Sequence, residues 1–60
     1  MKLRQRVERF LKQTRMSPTR LGREAVRDPG FVADLRAGRK PRRRTEARVN
    51  AWLDRRESRR

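Results

Sequence analysis

Leu3, Val7, Phe10 and Leu11 follow one another at spacings of four, three and one, with charged or amide side chains at every position between them. That is the buried stripe of an amphipathic helix, and it predicts one over residues 3–13 that ends near Thr14 or Arg15. Glu8 and Lys12 stand four residues apart on its polar side, placed for a surface ion pair. Ser17-Pro18 is a strong helix start, a capping hydroxyl followed by proline at the first helical position. Met16 before the cap and Leu21 four residues beyond it have the spacing of a hydrophobic staple. The second helix is read over residues 17–26, with Leu21 and Ala25 facing inward and Gly22 allowing another helix close approach. Asp28-Pro29 repeats the cap-plus-proline pattern, so a third helix is expected over 28–37, with Phe31, Val32 and Leu35 on its apolar side. Gly38 ends it as a left-handed cap. Arg39-Lys40-Pro41 is a short basic loop, and a last helix carries Val49, Trp52 and Leu53, starting either just after Pro41 or at a Thr45 cap.

No segment alternates as a strand does, so the expected fold is all-α, a compact bundle of four helices. Its domain covers residues 1–55, followed by a frayed basic tail over 56–60. Sixty residues lie near the lower limit for folding without a staple, and only 32% are apolar, so nearly all of them must converge on one core. The absence of Cys and His excludes a disulfide framework and leaves a zinc site without its usual ligands. Ser17 and Ser58 stand without a partner that would activate a nucleophile, so neither catalysis nor a cofactor is expected. Asp54 and Glu57 are expected to pair locally with Arg55, Arg56 or Arg60.

Charge changes the picture most. Twenty Lys and Arg face seven Asp and Glu, for a formal net charge of +13, and 17 of the 20 basic residues are Arg. Guanidinium forks suit phosphate oxygens and guanine edges, which points to nucleic acid, although a GC-rich genome produces the same bias. Charges interrupt every apolar step of the first 13 residues, and no run approaches a membrane span, so the expected location is cytoplasmic and nucleoid-associated.

Leu21, Gly22 and Ala25, then Val32 and Leu35, resemble the helix-turn-helix of the lambda-repressor and Cro family, of XRE type. Gly38-Arg39-Lys40-Pro41 followed by Thr45, Val49 and Leu53 is similar to that family's loop and next helix. The resemblance covers most of the chain, roughly residues 3–53. It implies a lambda-repressor-like fold whose third helix enters the major groove of double-stranded DNA. Two departures stand out. Val26-Arg27-Asp28 occupies the turn where the family often has Gly. The positions implied to face the groove, Asp28, Pro29, Gly30, Ala33, Asp34 and Ala37, include none of the side chains that make bidentate base contacts.

What surrounds them is basic. The implied phosphate clamp comprises Ser17, Thr19, Arg20, Arg23 and Arg27 on the second helix and turn. It continues through Arg36, Arg39 and Lys40 to Arg42, Arg43 and Arg44, which open the fourth helix. Three readings follow: a small DNA-binding transcriptional regulator, a non-specific architectural DNA- or RNA-binding protein, and an adaptor docking on transcription machinery. The family precedent implies a homodimer, expected here to be weak or induced by DNA. An exposed Trp52 would mark a dimer or partner surface, and a buried one the core.

Overall fold

The computed structural model describes residues 2–57, which form four helices and no strand: α1 (Leu3–Thr14), α2 (Pro18–Val26), α3 (Phe31–Arg36) and α4 (Arg43–Glu57). The all-α expectation holds. α1 buries Leu3, Val7, Phe10 and Leu11, the predicted stripe. α2 adds Leu21 and Ala25, α3 adds Phe31, Val32 and Leu35, and α4 adds Val49, Trp52 and Leu53, forming one core cluster. Val7, Leu21, Val49 and Leu53 are 0% exposed, so α1 and α2 each contribute one side chain and α4 two that are wholly removed from water. α1 and α2 both pack against α3 and α4. The radius of gyration of 10.4 Å is that of a close-packed chain of this length.

The helix ends show how local chemistry places these elements. The Ser17 hydroxyl accepts the Arg20 backbone N–H at 3.1 Å, with Pro18 opening α2 as predicted. Arg15 and Arg27 close α1 and α2 in the left-handed region, at φ 60 and φ 57. An Arg there costs about 1 kcal/mol relative to Gly, offset by backbone bonds from the Arg15 N–H to Leu11 and from the Arg27 N–H to Arg23. The chain turns after α2 on Arg27, without a glycine.

α3 departs from its predicted start. The Asp28 carboxylate accepts the Gly30 N–H at 3.0 Å, and its carbonyl accepts the Phe31 N–H at 3.1 Å. Gly30 lies at φ −91, ψ 2, the third position of a type I turn, with Asp first and Pro second as that turn prefers. Asp28-Pro29-Gly30 is therefore a turn, and α3 begins at Phe31. At its other end Gly38, at φ 94, sends its N–H to the Leu35 carbonyl, and Arg39 sends its own to Asp34, both at 3.0 Å. This pair of bonds is the Schellman closure expected of that glycine.

α4 starts at Arg43, and the Glu46 N–H bonds the Arg42 carbonyl at 2.9 Å. Thr45 lies inside the first turn and is not its cap. The helix continues through Arg56 and Glu57, part of the stretch read as tail, while the expected tail residues 58–60 lie outside the described residues.

Trp52 belongs to the core. It meets Phe10 edge to face, with centroids 5.3 Å apart and planes at 70°, and the Arg56 guanidinium covers its other side at 4.9 Å. The adaptor surface foreseen around an exposed Trp52 does not form.

Gly22 is where α2 meets the turn. A Cβ there would fall inside the van der Waals radius of the Asp28 carbonyl oxygen and within 3.2 Å of the Phe31 Cβ. The Asp28 N–H also bonds the Gly22 carbonyl at 3.0 Å. The close approach predicted for this glycine is to turn backbone.

Candidate nucleic-acid interface

Acidic side chains decide which cations are available. Glu8 takes a two-pronged contact from Arg36, Nε and NH2 each at 2.8 Å, and so joins the middle of α1 to the end of α3. Its expected partner Lys12 makes no ion pair among the described residues. Glu24 is bonded by Arg20 Nε and by Arg56 NH2, both at 2.6 Å, linking α2 to α4. Arg6 of α1 reaches across to Asp54, to Glu57 at 2.8 Å and to the Asn50 amide oxygen at 2.8 Å. Asp54 and Glu57 thus pair across the bundle with Arg6; of the local partners the sequence suggested, Arg60 lies outside the described residues. Asp34 has a long contact to Arg39 at 3.5 Å.

The clamp residues accordingly divide. Arg20 and Arg36 are held by Glu24 and Glu8, and Arg39 leans on Asp34. Arg23, Arg27, Lys40, Arg42, Arg43 and Arg44 are exposed and make no ion pair among the described residues. Arg43 and Arg44 lie in the first turn of α4, the positive end of a helix dipole, where cations are mildly disfavoured. Local helix physics does not explain their placement. Ser17 and Thr19 are exposed at the start of α2, the Ser17 hydroxyl serving as the cap.

The positions implied to face the groove are small or acidic. Pro29, Ala33 and Ala37 are exposed, and Gly30 and Asp34 are half-buried. A surface cleft of about 350 Å³ lies between α3 and the following loop, lined by Asp28, Phe31, Asp34 and Leu35 on one side and Arg39, Lys40, Pro41, Arg42 and Thr45 on the other. The cleft brings the Arg39, Lys40 and Arg42 cations together with the Asp28 and Asp34 carboxylates.

Arg48, which the sequence reading did not single out, is exposed one helical turn beyond Arg44 and makes no ion pair among the described residues. The i,i+4 spacing was its available signal. The sequence reading also missed the two carboxylates that hold Arg36 and Arg20 with Arg56. The partners Arg36 and Glu8 are 28 residues apart, and Arg56 and Glu24 are 32 apart, so no local pattern announces either pair.

Arg36 holds the Glu8 carboxyl below its ordinary range, chiefly through its hydrogen bonds. Arg20, then Arg56, does the same for Glu24. A depressed carboxyl in the folded state contributes stability above its unfolded pKa and loses it as pH falls through the folded value. Acidification below about pH 4 is therefore expected to lower the stability of the bundle, more steeply at low salt, where the Lys and Arg lose their internal counter-charges. Far-UV circular dichroism against pH measures this, and the E8Q/E24Q variant should be less stable at neutral pH with a flatter acid limb.

Among the described residues no helix is long and apolar enough to cross a membrane, and no group of His, Cys, Asp and Glu is placed to hold a metal ion. Compared with known proteins, the chain matches no family model, no curated protein and no solved structure.

Proposed function

We propose that this protein is a small DNA-binding regulator of the helix-turn-helix type, with α2, the Asp28-Pro29-Gly30 turn and α3 as its docking unit. The observation that carries this reading is the set of cations Arg23, Arg27, Lys40, Arg42, Arg43 and Arg44, which make no ion pair among the described residues, while Glu8 and Glu24 are engaged by Arg36, Arg20 and Arg56. The role of that set is to grip phosphates on both sides of the groove, as positioning contacts do in DNA complexes. Pro29, Ala33 and Ala37 let the backbone approach closely but carry no bidentate base reader, so recognition leans on duplex shape. Duplex is favoured over single strands because Phe10, Phe31 and Trp52 are all buried, leaving no stacking platform.

The same paucity of base readers favours a second reading, a non-specific architectural binder of duplexes. Any dimer on DNA would be weak, since no apolar face is left uncovered around Trp52.

Fluorescence anisotropy with a short labelled duplex across a salt series tests the proposal. About five phosphates neutralised give a log–log slope of roughly −4 to −5. Absence of duplex binding at low salt, or stronger binding to single-stranded DNA, overturns it. Footprinting on genomic fragments separates the two readings: a protected site supports the regulator, and uniform protection the architectural binder.

A further inference from the structure

The charge of this chain is larger than one DNA face can use. With a net charge of +13 and about five phosphates neutralised, a bound molecule would still carry a surplus of about eight positive charges. Part of that surplus has a defined address. Lys2, Arg9 and Lys12, with Gln5 between them, recur at helical spacing on the pole of α1 opposite its buried stripe. All are exposed, and the three cations make no ion pair among the described residues.

The flanks of α1 fix where this pole points. One edge is tied to α3 through Glu8 and Arg36, and the other to α4 through Arg6 and Asp54. With both edges fastened and the apolar stripe inside, the pole faces away from the bundle. No carboxylate lies on it: Glu8, the acid of α1, sits at the fastened edge. From Lys2 to Lys12 the stripe runs about 15 Å, the rise of four to five base pairs along a duplex.

Resting on the duplex-binding reading above, we infer that the outer face of α1 is a second DNA-backbone surface, so that one molecule joins two duplexes. The occupant follows from the chemistry of the face. It offers cations and an amide with no exposed apolar side chain, which rules out the apolar face an interfacial membrane helix needs. It also lacks the aromatic anchors of a protein hot spot or a single-strand platform. A regularly spaced polyanion remains, and duplex DNA is the one that the rest of the molecule also suits.

The test is capture of a fluorescent duplex by a bead-bound duplex at sub-saturating protein, with anisotropy on a single duplex in parallel. Wild type is expected to bridge. The K2Q/R9Q/K12Q variant, altered only at exposed positions, should keep wild-type helicity and single-duplex affinity within about threefold while bridging falls about tenfold or more. Single-duplex binding without bridging in the wild type overturns the inference and leaves the proposed function standing. Undiminished bridging by the variant also overturns it, because the link then runs through protein dimerisation or another face. Absence of duplex binding altogether removes both readings.

Discussion

Replacing Gly22 with Ala is expected to lower the melting temperature by about 10–25 °C, close to loss of the fold at 37 °C. Two effects oppose each other. Alanine favours the helix over glycine by about 1 kcal/mol. Against that, the new Cβ collides with the Asp28 carbonyl oxygen, a backbone atom that cannot swing aside, and presses on the Phe31 Cβ at 3.2 Å. Relief requires α2 to lift from the turn, which breaks the Asp28 N–H bond to the Gly22 carbonyl and loosens Leu21 against Phe31. Those losses amount to about 3–5 kcal/mol, so the clash wins by a net 2–4 kcal/mol. A chain of this length has roughly 3–9 kcal/mol to lose. Gly30→Ala is the control, since Gly30 has negative φ and its nearest obstacle is the Asp28 side-chain oxygen at 3.5 Å. Thermal melts by circular dichroism separate the two, and a G22A variant melting at or above wild type would refute this account of the α2–turn contact.

Neutralising Arg42, Arg43 and Arg44 together should have the largest effect on binding. If each meets one phosphate, R42Q/R43Q/R44Q flattens the log–log salt slope by about 2.7. Raising salt from 50 to 200 mM would then weaken the variant about 12-fold, where wild type weakens about 500-fold. The fold should tolerate the change, because all three side chains are exposed and unpaired and two of them oppose the α4 dipole. The R36Q variant gives the opposite pattern. Losing the two bonds to Glu8 lowers stability and leaves the slope near the wild-type value. Equal slopes for R42Q/R43Q/R44Q and wild type would show that phosphates are gripped elsewhere.

Much of the architecture was legible locally. The α1 stripe, the Ser17-Pro18 start and the Gly38 stop each depend on contacts within a few residues, which spacing and capping chemistry encode directly. The start of α3 was misread because Asp-Pro serves both a helix cap and a type I turn. Gly30 and the bond from its N–H to Asp28 decide for the turn.

The candidate interface divides along the same line. Its wealth of cations is a property of composition, and the sequence alone determined it, together with the four helices and the residues of the core. Which cations remain free was decided only by tertiary structure. Arg36 looks equivalent to Arg23 and Arg43 along the chain, yet packing brings Glu8 against it, and brings Arg56 of α4 to Glu24, the i,i+4 partner of Arg20. Trp52 likewise became core because α1 delivers Phe10 to its edge and Arg56 covers its face. Ion pairing and aromatic packing act across a few ångströms of space between residues distant in sequence, and helical periodicity fixes only the face each residue shares with its neighbours.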